Sequence, residues 1–281
     1  MKVRLGLALS GGGVKGAAHI GVIRALEENK IKPYCIGGTS SGSIVATLYA
    51  MGYNAEEMHE LFTYFSKLVI EADPRYFIAS IKQNRGLRIS GLLSGENIEK
   101  AVKEACKYKK IEKINEIGMP IVIPAVDAIT GKEYIFTNKK GEGEKYIDNI
   151  SIATAVRASS SFPAIYAPCK TDNKQFLDGG ILNNVPTKEV RQLGADKVIS
   201  VTFPPAEKYM GNSIYSILLR TLDIMTNEIA NENLKTGDYT INIQTGKTRL
   251  LAIDKIDYCE KIGYEETIKH IKEIKEIIYN M

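Results

Sequence analysis

Val3-Arg4-Leu5-Gly6-Leu7-Ala8-Leu9-Ser10-Gly11-Gly12-Gly13-Val14-Lys15-Gly16 begins as an apolar run and breaks into consecutive glycines. It continues with Ala17, Ala18, Val22, Ile23, Ala25 and Leu26 at helical spacing. The run over 3–9 predicts a buried strand, the glycines a tight turn and the 3.6-residue period a helix. The order recurs at once: 34–38 predicts a short strand, Thr39-Ser40-Ser41-Gly42 a tight turn and 43–51 an apolar helix. Two strand, turn and helix units in succession predict an α/β sheet.

Outward from there, 54–113 reads as helical, with aromatics at Phe62, Tyr64, Phe65, Tyr76 and Phe77 and breaks near Asp73-Pro74 and Gly86. It predicts a helical insertion over one end of the sheet. Segments 121–127 and 133–136, separated by Thr130-Gly131, predict a hairpin, and 152–158 a short helix. Residues 174–177 read as a strand that runs into Asp178-Gly179-Gly180. Pro186 opens a helix ending at Gly194. Strands over 197–203 and 239–243, a long helix over 214–234 and a closing helix over 258–279 complete the chain. The polar patch 138–144 predicts a mobile loop. Length alone suggests two domains at about 150 residues each, but without a linker or repeat the expectation is one domain over 1–281.

The 281 residues hold 37 Lys+Arg against 33 Asp+Glu, a formal charge of +4 that is too small to argue for nucleic acid. With 44% apolar and 25% charged residues, disordered, collagenous and membrane-spanning classes are excluded. Cys35, Cys106, Cys169 and Cys259 form no C-x-x-C pair, which predicts free thiols in a reducing compartment. The N-terminal apolar run is cut at Ser10 before a signal peptide can form, and no stretch reaches about 18 uninterrupted apolar residues. The expected location is cytoplasmic, with peripheral contact at an anionic lipid surface compatible with the charge.

Gly11-x-Gly13-x-x-Gly16 matches the dinucleotide fingerprint, yet the second strand ends Gly37-Gly38 where a ribose-binding acid should stand. Glu27 and Glu28 lie on the helix instead. A phosphate P-loop fails too, because Ala17 follows Gly16 where lysine is required. What remains is a cradle of backbone N–H groups for a developing oxyanion, beside the plain reading of a glycine turn with positive φ.

Gly38-Thr39-Ser40-Ser41-Gly42 matches G-x-S-x-G where a strand meets a helix, which makes Ser40 the candidate nucleophile. The competing reading is an N-cap, a role open to Ser41 or Ser43. Serine needs a base, and the chain has only three histidines, His19, His59 and His270. His270 falls mid-helix beside an isoleucine stripe, and His19 is expected near the glycine loop without reaching Ser40. Asp178, at the end of a strand, is then the candidate base, since burial raises a carboxylate's pKa toward a useful range.

With Ala158-Ser159-Ser160-Ser161-Phe162-Pro163 added to these three motifs, residues 6–191 resemble the patatin-like phospholipase family of lipid acyl hydrolases. The resemblance implies a three-layer α/β sandwich, a mostly parallel sheet with helices on both faces, and ester hydrolysis by a Ser40–Asp178 dyad without metal or cofactor. The N–H groups of Gly12, Gly13 and Ser41 would hold the oxyanion, with Gly11 in the same loop. Lys15 would meet a head-group phosphate or brace the loop. The expected partner is a lipid or acyl ester. A thioesterase or acyltransferase using the same dyad, and a noncatalytic lipid or nucleotide binder, are the alternatives. The aromatics between Phe62 and Phe77 are expected in a helical core, with an acyl groove or membrane contact as alternatives. The closing helix, with Lys269, Lys272 and Lys275, is expected to dock on the body.

Overall fold

Leu5, Leu7 and Leu9 of strand β1 (Leu5–Leu9) join one core cluster, while Ala8 joins a second on the other side of the sheet. A strand buried along its whole length on both faces is what a central parallel sheet requires. The chain is described here from a computed structural model covering residues 3–70, 91–141, 143–171, 173–205, 211 and 213–279. Tyr76, Phe77 and the expected breaks at Asp73-Pro74 and Gly86 lie outside the described residues.

Strands β2 (Cys35–Gly38), β3 (Ile121–Asp127), β4 (Glu133–Thr137), β5 (Tyr146–Ile147), β6 (Cys169–Lys170), β7 (Gln175–Asp178), β8 (Lys197–Thr202) and β9 (Tyr239–Asn242) complete a nine-stranded sheet. Its main path runs β5-β4-β3-β2-β1-β8-β9, with β7 paired to β3 and β6 to β7. The pairs β1–β2, β1–β8, β2–β3, β4–β5 and β8–β9 are parallel; β3–β4 is the antiparallel hairpin expected from sequence.

Helices α1 (Ala17–Glu28), α2 (Ser41–Ala50), α3 (Ala55–Ile70), α4 (Glu96–Lys109), α5 (Ile152–Ser159) and α8 (Ile256–Tyr279) pack on the leucine face of β1. Helices α6 (Thr187–Gln192) and α7 (Ile214–Leu234) contribute Val190 and Ala230 to the opposite cluster. The result is helices on both faces of a mixed, mostly parallel sheet. Among the described residues, no helix is long and apolar enough to cross a membrane.

Two local expectations need correction. The polar patch opens with Asn138, which is a pin: its Oδ1 accepts from the Ile121 N–H at 3.0 Å and its Nδ2 donates to the Ile117 and Met119 carbonyls. The second helix begins at Ser41, two residues early, because the elbow leads straight into it.

The register around β3 decides where the site lies. Ile36 and Gly37 pair with Ile121 and Val122, whereas Ala125 pairs with Asp178 of β7. Counting on from Gly37 opposite Val122, the residue opposite Ala125 would be Ser40 (37 + 3 against 122 + 3). β2 stops short, and β7 enters from the other direction to take the vacated edge of β3. The two motif residues, 138 positions apart in sequence (178 − 40), thus meet by strand replacement.

α8 docks on α1 through the most extensive helix contact among the described residues. A Cβ on Gly21 would strike the Glu260 carbonyl oxygen, and one on Gly263 the Ala18 carbonyl oxygen, so the two backbones touch. Gly263→Val must push the helices apart. The expected cost is about 1–3 kcal/mol of overpacking strain, read as a lower urea midpoint at unchanged denaturant slope.

Candidate active site

The backbone makes Ser40 conspicuous before any side chain is considered. Its φ is 53° and ψ −124°, a left-handed conformation that non-glycine residues hold only where their surroundings enforce it. The enforcement is visible on both sides of the serine. A Cβ on Gly38 would strike the Gly42 carbonyl, and one on Gly42 would lie 2.6 Å from the Leu9 and Ser10 carbonyl oxygens. Strand and helix approach more closely than side chains permit, and the serine between them is turned out of the sheet. Its N–H donates to Ser159 Oγ at 3.0 Å, and the Ser43 hydroxyl donates back to the Ser40 carbonyl at 2.6 Å. Neither Ser41 nor Ser43 is the N-cap; Ser40 itself holds that position, with its hydroxyl free of capping duty.

Ser40 opens into a cavity of about 80 Å³. Gly13, Ser41, Ile44, Phe62, Phe65 and Leu250 form much of its wall, with Ile98, Ser160 and Tyr166 completing the side supplied by α4 and the α5 loop. Phe62 and Phe65 are therefore in the core, as expected, and line the cavity as well. The Ser41 and Ser160 hydroxyls are buried in this wall and have no partner among the described residues.

Asp178 is almost wholly buried at the end of β7. Its N–H donates to the Ser161 carbonyl at 3.0 Å, and its Oδ1 accepts from the Gly180 N–H at 2.8 Å. Burial lifts its pKa from the ordinary 3.8 to about 7, against the opposing pull of the Ser40 hydroxyl and the Gly180 N–H. The serine contact is looser than a well-aligned hydrogen bond, since Oδ2 has no such partner among the described residues. A carboxylate half-ionised near neutrality, with one free oxygen beside a serine, can accept a proton.

The three histidines lie elsewhere. His19 is buried, pushed down to about 4 by that burial, and its Nε2–H donates to the Ser10 carbonyl at 2.8 Å. It braces the glycine loop in neutral form. His59 bonds to Glu260 and faces Asp257, and His270 bonds to the Tyr239 hydroxyl and Glu266.

In the glycine loop, Gly13 has φ +59°, and a Cβ there would meet the Leu250 carbonyl. That carbonyl accepts from the Val14 N–H at 2.9 Å. The N–H groups of Gly12, Gly13 and Ser41 keep no acceptor among the described residues, as expected for groups at helix starts. The Gly11 N–H, in the same loop, donates instead to Asn184, at 3.1 Å from the side-chain oxygen and 3.3 Å from the carbonyl. Lys15 does not line the cavity, and its surroundings fit the loop-bracing alternative. Burial lowers its pKa, and the opposite charge acting on it is that of Asp223 on α7.

Sequence reasoning missed the supports. Asn184 carries no local signal, and Ser159, although within the quoted Ala158–Pro163 block, gives no sign there of its contact with Ser40. Arg157 stands one residue ahead of the quoted Ala158–Pro163 block; its guanidinium bonds to the Ser161 hydroxyl and to the Ser94 and Ala167 carbonyls, fixing the loop that holds Asp178.

The raised carboxyl has a thermodynamic sign. A group whose folded pKa exceeds its unfolded one stabilises the fold at acid pH, and that contribution is lost as pH rises through about 7. Asp178→Asn is expected to melt above the unsubstituted protein at pH 8.5. The interval from 3.8 to about 7 bounds the difference at roughly 4 kcal/mol, and it should vanish by pH 4. Calorimetry across that range checks it.

Comparison with known proteins adds the following. A sequence model of the family described as patatin-like phospholipase matches residues 7–191. The uncharacterized protein YqhO of Bacillus subtilis (strain 168) is 31% identical over 209 residues, covering 71% of each chain. A probable lipid hydrolase, 463L of Invertebrate iridescent virus 6, is 31% identical over 190 residues, 64% of this chain and 61% of that one. An uncharacterized NTE family protein of Mycobacterium tuberculosis (strain ATCC 25618 / H37Rv) is 30% identical over 205 residues; the match covers 73% of this chain and only 50% of the relative. Among solved structures, VipD from Legionella pneumophila superposes with a TM-score of 0.54 at 14% identity, over 97% of this chain and 67% of that chain.

Proposed function

The chain belongs to the patatin-like phospholipase family, and from that premise we propose that it is a serine lipid acyl hydrolase working through Ser40 and Asp178. The observation that carries the reading is the juxtaposition of an outward-turned serine with a buried carboxyl held near pKa 7. Ser40 Oγ attacks the acyl carbonyl while its proton passes to Asp178. The N–H groups of Gly12, Gly13 and Ser41 receive the negative charge on the carbonyl oxygen, each worth about 3 kcal/mol in the transition state. As the C–O bond breaks, the leaving alcohol takes the proton from Asp178. Water then cleaves the acyl-enzyme with Asp178 again as base.

The substrate class follows from the cavity wall. Ile44, Phe62, Phe65, Ile98 and Leu250 suit an aliphatic acyl chain, and the Ser41 and Ser160 hydroxyls lie where a polar ester group would enter. A relative bearing the name probable lipid hydrolase is consistent with this. The proposal takes 1–281 as one catalytic unit, because β8 and β9 extend the same sheet and Leu250 and Ile253 close the cavity.

Hydrolysis of p-nitrophenyl esters of increasing chain length tests the reading. Ser40→Ala is expected to abolish labelling by a fluorophosphonate. Both Ser40→Ala and Asp178→Asn are expected to lower kcat by a factor on the order of 10³ or more. Because the base must be ionised, kcat/KM should rise with pH to a plateau above about 7. Turnover that survives both substitutions sinks the dyad.

A further inference from the structure

A second and larger hollow lies at the opposite end of the sheet from Ser40. Its wall includes Lys30 and Lys32, just before β2, and Met119, just before β3, whereas Ser40 follows the end of β2. Helix α2 runs from one cavity to the other: Ser41 and Ile44 line the first, Tyr49 and Ala50 the second. Its ten residues span about 15 Å at 1.5 Å each. The hollow measures about 510 Å³, within the roughly 300–1,000 Å³ of small-molecule sites.

Floor and rim differ in chemistry. Ile31, Tyr49 and Tyr53 are buried and Met119 is half-buried, which makes an apolar floor. Tyr53 donates its hydroxyl to the Ala105 carbonyl at 2.8 Å, but the Tyr49 hydroxyl has no partner among the described residues. Tyr49 is only 8% exposed, and the charge acting on its hydroxyl is that of Glu27, which also lines the hollow, so the polar end of the ring faces inward. A hydroxyl so deep and without a protein partner is a place for a ligand's hydrogen bond. At the rim stand two cations and one acid, Lys30, Lys32 and Glu27. Neither lysine has a carboxylate at ion-pair distance among the described residues. Glu27 is answered by Lys32 and by the Ala55 N–H, which leaves the charge of Lys30 uncompensated. The backbone fixes that lysine in place: it follows α1 with φ 58°, its N–H donates to the Glu27 carbonyl at 2.9 Å, and the Ile31 N–H donates to the Leu26 carbonyl at 2.9 Å. Lys109, which donates to the Gly52 carbonyl at 3.0 Å, has Glu57 at 4.0 Å and leaves the balance unchanged.

We propose that this hollow is a binding site, separate from the Ser40 cavity, for a small carboxylate carried on an apolar chain. One uncompensated cation suits a single negative charge, and the Tyr49 hydroxyl supplies a donor to the same carboxylate. The chain of the ligand then lies over Ile31, Tyr53 and Met119, where its burial is favourable. A neutral alcohol of the same length leaves Lys30 unpaired, and an ammonium meets it as a like charge. The site does not rest on the hydrolase reading above.

Amide NMR of the full chain titrated with sodium decanoate below its micelle-forming concentration tests this, with decanol and decylammonium as the neutral and cationic arms. Decanoate is expected to shift the amides of 27–32 and 49–54. Lys30→Glu/Lys32→Glu should weaken its binding at least about tenfold, and Tyr49→Phe, which keeps the ring, about fivefold. Both variants keep their circular dichroism. Decanol should bind at least about tenfold more weakly than decanoate. No decanoate binding by the unsubstituted chain, shifts confined to Gly13, Ser41 and Leu250 around the Ser40 cavity, binding unchanged in either variant, or decanol or decylammonium binding as tightly as decanoate would each overturn the proposal. Decanoate bound at this site by an unsubstituted chain that hydrolyses no ester would leave the site standing and remove the hydrolase reading instead.

Discussion

The central strand β3 has one edge and two occupants. β2 takes the first part of that edge and stops, and β7 enters antiparallel and takes the rest, with Asp178 at the position a straight β2 would have given to Ser40. The serine must leave the plane of the sheet, which requires a left-handed backbone at Ser40 and the absence of side chains at Gly38 and Gly42. The motif glycines are thus consequences of strand replacement. They let a helix begin within one residue of a strand's end while a second strand fills the space vacated.

The same replacement buries Asp178. A carboxyl at the end of an edge strand would keep an ordinary pKa; inside the sheet, with Gly180 as its one aligned donor to the carboxyl group, it is held near neutrality. In the proposed dyad, burial would do the work a histidine does in a triad. The neutral His19 serves only as a strut to the Ser10 carbonyl. The arrangement carries a stability cost at alkaline pH, because an ionised carboxylate with a free Oδ2 is poorly solvated. With Asp178 as the proposed base, function and stability of the fold are set against each other through one proton.

Much of this was legible from periodicity and turn chemistry. The alternation of strand and helix between residues 3 and 51, the hairpin after Asp127 and the extent of the helix Ile214–Leu234 follow from local pattern, and the structure moves their ends by a residue or two. The serine elbow and the Asp-Gly-Gly turn were legible as separate motifs. Their meeting was not, because it depends on register along β3. The partners of supports acting over long separations could not be read locally: Ser159 reaches Ser40 across 119 positions and Asn184 reaches Gly11 across 173. The surroundings of Lys15 and Gly11 were illegible for a related reason. Each sits in a loop whose sequence advertises anion binding, yet Asp223 and Asn184, both distant in sequence, redirect them.

Residues beyond 191 carry the clearest case of function hidden from local reading. Nothing in Thr248–Ile253 resembles a motif, yet the Leu250 carbonyl fixes Val14 and presses on Gly13, so the glycine loop takes its shape from a segment 237 positions away (250 − 13). That segment leads into α8, which lies backbone to backbone on α1, the helix the glycine loop opens. The loop is therefore clamped from both ends by one stretch of chain, at Gly13 through Leu250 and at Ala18 through Gly263. In the proposed mechanism these N–H groups wait for a developing charge, and they cannot relax onto water or a neighbouring carbonyl without losing their aim. A clamp built from the far end of the chain supplies that rigidity where three consecutive glycines supply none.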